Sequence, residues 1–195
     1  MSILIIKFMK TKTINIYEYN ELSEKAKEKA LNAWREDFDS YALQVCLDNN
    51  IEELLAKHGI RVLRDLKGYE SKYAKVYFSL SNCQGDGVMF EGVFSFPVSS
   101  EKVGGQWKRY EVKVKHSGRY YHSNSKDVEI VGDNEVEAGE EVYKEFEQVY
   151  QIICKELEKA GYEFIDDMQS EEAFEEACNA NEYTFREDGT MENSD

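Results

Sequence analysis

Two hydrophobic periods divide this chain and limit the folds open to it. Between about residues 60 and 131, apolar residues alternate in short runs; on either side they recur every three or four positions. The alternating runs are Ile60 to Leu66, Ala74 to Leu80, Val88 to Phe96, Tyr110 to His116 and Asp127 to Val131, and each reads as a strand. Gly68, Gly85, Gly87, Gly104, Gly105, Gly118 and Gly132 punctuate them. Several links are too short for helical crossovers, so the pairing should be mostly antiparallel. Pro97, the one proline, is expected to end a strand or lie on an edge.

The flanks read as helices. Leu22 precedes Ser23, a staple and cap for a helix whose stripe is Ala26, Ala30, Ala33 and Trp34. A second helix is expected from about Tyr41 to His58, with Leu43, Leu47, Ile51, Leu54 and Leu55 buried and Gly59 as its stop. After Gly139, the stripe Val142, Tyr143, Phe146, Val149, Tyr150, Ile153 and Leu157 predicts a third helix, ended by Gly161 and followed by a short strand from Tyr162 to Ile165. Ser170 caps a fourth, with Ala173, Phe174, Ala177 and Cys178 inside. Thr13 to Tyr19 alternates like a strand, and Tyr183, Phe185 and Asp188-Gly189 suggest a terminal hairpin. The order predicts an α+β fold, a central antiparallel or mixed sheet with helices packed mainly on one face. Residues 1–195 are expected to form one domain, with a flexible start over 1–12 and a frayed end over 191–195.

Charge is divided along the chain. Residues 133–195 hold 21 acidic and four basic side chains, whereas residues 1–132 hold 18 acidic and 20 basic ones. The net −15 therefore belongs to the tail half, and a field of that kind favours a basic partner. Glu140, Glu141, Glu145, Glu171, Glu172, Glu175 and Glu176 are the partner-binding candidates. Acids in first helical turns also have a local role beside the positive helix end. Cys46, Cys83, Cys154 and Cys178 lack metal-knuckle or redox spacing and read as reduced thiols, which implies a cytoplasmic setting. The apolar run near the start is too short for a membrane span, and no metal or cofactor is expected.

Two motifs could carry a ligand. Asn82-Cys83-Gln84-Gly85-Asp86-Gly87 lies between strand signals, and its glycines suit a tight turn presenting Gln84 and Asp86. One aspartate makes no calcium loop, so a structural turn is the plainer reading. Gly118-Arg119-Tyr120-Tyr121-His122-Ser123 could form a binding loop opposite it, with Arg119, Tyr121 and His122 as contacts and Glu91 as a distant acid or base. Cys83 would need a nearby histidine to act as a nucleophile; burial in the turn is the plainer reading. Lys102 to Lys126 interleaves bases with Trp107, Tyr110, Tyr120 and Tyr121, a pattern that suits nucleic acid but also suits a sheet with a polar outer face.

Leu22-Ser23-Glu24-Lys25-Ala26-Lys27-Glu28-Lys29-Ala30, Gln84-Gly85-Asp86-Gly87-Val88-Met89-Phe90-Glu91-Gly92, the GRYYHS block and Asn181 to Phe185 with Asp188-Gly189 resemble small proteins of tailed phages and bacterial mobile elements. That resemblance implies a host-interaction or anti-defence role in the bacterial cytoplasm. The expected partner is a host protein with a basic surface, such as a nucleic-acid-binding defence protein. The alternatives are a nucleotide- or nucleic-acid-binding module or hydrolytic enzyme using the two loops, and a structural homo-oligomer.

Overall fold

The structure, a computed structural model, describes residues 13–192 apart from the side chains of residues 100, 102 and 103. It is an α+β fold whose chain divides into two compact units, Asp39–Asp166 and Met1–Phe38 with Asp167–Asp195.

In the central unit, helix α2 (Ser40–Lys57) precedes strands β1 (Arg61–Arg64), β2 (Lys75–Ser79), β3 (Gly87–Val103), β4 (Gln106–His116) and β5 (Lys126–Val131), and α3 (Glu140–Met168) follows. The strands form an antiparallel sheet in the order β1-β3-β4-β5, with β2 also paired to β3. Gly104 and Gly105, at φ +60° and +83°, make the two-residue turn that joins β3 to β4. That conformation suits glycine and matches the twist of a tight hairpin.

One sheet face is apolar. Phe90, Phe94, Phe96, Val112, Val114 and Ile130 are all at most 1% exposed. Phe146 and Tyr150 of α3 pack on Phe96 and Phe90 at 5.3 and 4.4 Å between rings. Each such side chain contributes about 1.5–3 kcal/mol on leaving water. Lys113 lies between Val112 and Val114 and so points to the opposite face, where it pairs with Glu129 at 3.6 Å; Arg64 pairs with Glu111 at 2.5 Å. The basic stretch in the middle of the sequence is thus largely the solvated face of a half-buried sheet.

The other unit contains α1 (Glu24–Glu36), α4 (Glu171–Asn181) and the two-residue strands β6 (Thr184–Phe185) and β7 (Met191–Glu192). Ser23 accepts a bond from the Ala26 amide and Ser170 one from the Ala173 amide, so both expected caps form. Tyr19, Leu22, Ala26, Ala30, Leu31, Phe174, Cys178 and Phe185 build the core of this unit.

Several expectations are corrected. Thr13 to Tyr19 is no strand: Tyr17 makes an isolated bridge to Phe185, Tyr19 enters a short 3-10 turn, and Ile14 and Ile16 are exposed. Ala33 is exposed and Leu31 takes its place in the core. Pro97 does not end a strand but lies within β3, on the edge stretch past Ser95 where β4 alone is paired among the described residues, and the pairing with β4 loses register immediately after it. A proline donates no ladder hydrogen bond, so the strand survives only with this irregularity. Gly161 does not end α3, which continues as helix through Tyr162 to Ile165. A Cβ at Gly161 would lie 2.4 Å from Leu80 and 3.4 Å from Leu47, so this glycine permits close packing. Met191 and Glu192 form β7 instead of fraying. The expected flexible start and residues 193–195 lie outside the described residues.

Candidate functional site

The two motifs meet, although they lie more than 30 residues apart in the sequence. A Cβ placed on Gly87 would stand 2.9 Å from His122 Nδ1 and 3.0 Å from the Tyr121 carbonyl oxygen; one on Gly85 would touch the Tyr120 ring at 3.4 Å. At Gly87 the absence of a Cβ lets the GRYYHS loop close this near, whereas the 3.4 Å approach at Gly85 is an ordinary contact. Helix α3 ties both loops down. Its Tyr162 hydroxyl donates to Asp86 at 2.7 Å, and its Gln151 accepts from Ser123 at 2.6 Å and donates to Asn124 at 2.7 Å. Lys126 Nζ donates to the Ser123 carbonyl at 2.5 Å and to Glu147 at 3.0 Å.

Asp86 is the hub of the turn. Its carboxylate accepts from the amides of Ser81 and Cys83 at 2.6 and 2.9 Å, from the hydroxyls of Ser79, Ser81 and Tyr162, and from the Cys83 thiol. Burial acts to raise this carboxyl, but donation from Tyr162, then Cys83 and Ser81, outweighs it and holds the group well below the usual carboxylate range. The Tyr162 hydroxyl is pushed up to about 12, by burial and then by Asp86. With six donors to satisfy, Asp86 organises the loop. The Cys83 side chain is exposed, contrary to the burial expected of it, and its thiol bonds with Ser81 and Asp86.

Glu91 belongs to a different group. It accepts from the Tyr77 hydroxyl at 2.7 Å and from the His116 amide at 3.2 Å, and Lys75 lies 3.9 Å away. Tyr77 stacks on His116 and on Tyr121 at 5.5 and 5.4 Å between ring centres, His116 and Tyr121 are tilted at 5.3 Å, and the Lys75 ammonium sits 4.4 Å from the Tyr77 ring centre. Asp86 and Glu91 share no hydrogen-bond partner, so the turn aspartate and the distant acid or base stand in separate groups. Among the described residues, no three His, Cys, Asp or Glu side chains are arranged to hold a metal ion. The solvent-facing rim is Gln84, Arg119 and Tyr120, with the Arg119 guanidinium 5.6 Å from the centre of the Tyr120 ring.

The seven acids singled out by charge have different surroundings. Glu145 accepts from the Ser99 amide at 2.6 Å, Glu140 pairs with Lys144 at 2.9 Å, and Glu171 accepts from the Tyr19 hydroxyl at 3.3 Å. Glu141, Glu172 and Glu176 are exposed and form no ion pair among the described residues; Glu175 is half-buried and also unpaired. Glu140, Glu141 and Glu145 belong to the central unit, and the α4 acids belong to the other. Counted by unit, residues 39–166 carry 23 acids and 16 bases, and the remaining residues carry 16 and 8. The sequence's sharp charge division thus becomes two units of similar net charge, −7 and −8.

Replacing Asp86 by asparagine removes the charge and one acceptor while keeping the shape. The expected loss at pH 7 is about 1–3 kcal/mol, read from urea unfolding. Because the folded carboxyl titrates below its unfolded value, its contribution is present above about pH 4 and is lost as pH falls through the folded value. The gap between wild type and Asp86→Asn should therefore narrow towards pH 2; a gap that does not depend on pH would contradict the role of the charge.

Among the described residues no helix is long and apolar enough to cross a membrane. No protein-family model, curated protein or solved structure matches the chain.

Proposed function

We propose that this chain is a host-interaction protein of the phage anti-defence kind, acting in the bacterial cytoplasm by binding a basic protein surface. One observation carries the reading: ion pairs occupy five bases of the sheet, whereas exposed helical acids are left without such partners. Arg64, Lys75, Lys108, Lys113 and Lys126 each have a carboxylate partner within 4 Å. Glu141, Glu172 and Glu176 have none among the described residues. The outward field is therefore negative, which speeds encounter with a basic partner and repels a nucleic-acid backbone. The two-loop rim supplies register, because its loops are already fixed by α3 and lose little freedom on binding. The phage and host assignment rests on the sequence resemblance described above.

Capture from a bacterial lysate tests this. The wild-type chain should retain a basic protein that raised salt releases, and the combined Glu141→Lys, Glu172→Lys and Glu176→Lys variant should retain it at least tenfold less well. Equal retention by a variant with an unchanged circular dichroism spectrum would reject the acidic contact.

The aromatic cluster of Tyr77, His116 and Tyr121 favours a second reading, a site for a flat nucleobase beside Lys75. Nucleotide binding that is lost in Tyr121→Ala and indifferent to the glutamate reversals would select it.

A further inference from the structure

Helix α2 has apolar residues on two sides. Leu43, Leu47, Ile51 and Leu55 are buried, whereas Tyr41 is 73% exposed and Val45 41%. Tyr41, Val45 and Glu52 share a face of the helix that forms one wall of a groove of about 870 Å³. The opposite wall is the segment entering β2, with Tyr73, Ala74 and Lys75. Tyr73 is 64% exposed. The volume lies within the range of sites that hold a ligand.

The strand beside the groove is open to pairing. Among the described residues β2 pairs with β3 and with no other strand. The sheet's far edge is treated differently: at β5 the Ile130 amide donates to the Tyr143 hydroxyl at 3.1 Å, and the Ile130 carbonyl accepts from the Ala138 amide at 3.0 Å. At Ile130 β5 is bonded to its own chain, whereas β2 faces a groove with a helix on its far side. That arrangement accepts an added peptide strand, whose backbone extends the sheet while alternate side chains enter the groove. The dimensions agree. Residues 41–52 of α2 span roughly 16 Å along the helix, and a five-residue strand spans roughly 17 Å.

Charge selects the occupant. Asp48, Glu52 and Asp65 line the groove against one base, Lys75, which already faces Glu91 and the Tyr77 ring. Asp65 is turned inward, accepting from the Lys67 and Tyr69 amides at 2.9 Å. Asp48 accepts one bond from Gln44, and exposed Glu52 makes no hydrogen bond or ion pair among the described residues. Side chains two positions apart on the added strand face the same way, so a lysine or arginine would meet Asp48 and Glu52 while an aliphatic residue two positions away rests on Tyr41, Val45 and Tyr73.

We infer that the groove between α2 and the free edge of β2 is a docking site for an extended segment of a partner protein whose groove-facing positions, every second residue, carry basic and aliphatic side chains. The choice of a basic occupant rests on the proposed function; the groove and the open edge do not. The test titrates the full chain, labelled with nitrogen-15, with a capped hexapeptide carrying lysine at positions 1 and 5, valine at position 3 and threonine between them, and with its counterpart carrying glutamate for lysine as control. The expected result is saturable movement of the amide signals of residues 75–79 with the lysine peptide alone. Val45→Lys with Glu52→Lys should weaken it at least tenfold, and Tyr41→Ala, an exposed change, should weaken it in the same direction. Shifts confined to the region of Glu172 and Glu176, or binding indifferent to these substitutions, would overturn the inference. Peptide binding at β2 together with failed lysate capture would count against the helical acids and support the groove; the reverse pair of results would overturn the groove alone.

Discussion

Gly189→Ala is expected to unfold the unit that contains α1 and α4 while leaving the central sheet intact. Gly189 sits in the β6–β7 turn at φ +82°, and an added Cβ would lie 2.1 Å from the carbonyl oxygen of Ala26 and 2.8 Å from its carbonyl carbon. The obstacle is the backbone of α1, so no rotamer change relieves it. The turn is held there by Lys29, which donates to Asp188 at 2.7 Å and to Thr190 at 2.8 Å. A left-handed conformation costs an L-residue about 1–2 kcal/mol, and an unrelieved overlap adds about 1–3 kcal/mol. Together these rival the stability of a small unit. Trp34 packs 5.3 Å from Phe174 in this unit, and Trp107 lies in the central one. Trp34 emission, read in a Trp107→Phe background, should therefore shift to the red. Gly68→Ala is the control, because Gly68 has φ +91° but nothing within 4 Å of an added Cβ. If the two substitutions cost the same, the close contact with α1 is refuted.

Tyr150→Phe should cost the central unit about 2–4 kcal/mol despite the loss of a single oxygen atom. The Tyr150 hydroxyl donates to the Phe90 carbonyl at 2.8 Å and accepts from the Phe90 amide at 3.1 Å. Phe90 lies just before Gly92, where the ladder between β3 and β4 begins, so a side chain completes what a neighbouring strand would otherwise supply. Both Tyr150 and Phe90 are at most 1% exposed, and water cannot replace the missing hydroxyl without opening the core. Burial also pushes the phenol far above its ordinary value, so it stays neutral and able to donate. Urea unfolding should show the loss, and hydrogen exchange should speed most at the Phe90 amide. A change below about 0.5 kcal/mol would mean that Phe90 finds other partners.

Local patterns were the legible part of this fold. Ser23 and Ser170 announce two helix starts because a cap acts over three residues, and the expected α2 stripe contains Leu43, Leu47, Ile51 and Leu55 because each repeats within one or two turns. Gly161 was misleading for the same reason: a glycine after a helical stripe reads as a stop, and the reason to keep it inside α3 lies with Leu80, 81 residues away. The candidate site was visible in its parts. The QGDG turn and the GRYYHS loop stand out as sequence, but nothing local says that Gly85 and Gly87 receive Tyr120 and His122, or that Tyr162 completes the Asp86 hub. By its local sequence Tyr162 reads as the start of a strand, and its hydroxyl gives no periodic signal.

By itself the sequence determined the α+β class, the strand-rich centre, the main helices with their caps, and the total charge, since these depend on composition and on neighbours a few residues apart. The tertiary structure alone decided which carboxylates remain free, where the two loops meet and which sheet edge stays open. Those outcomes depend on contacts between residues tens of positions apart, chosen by the burial of each unit's core.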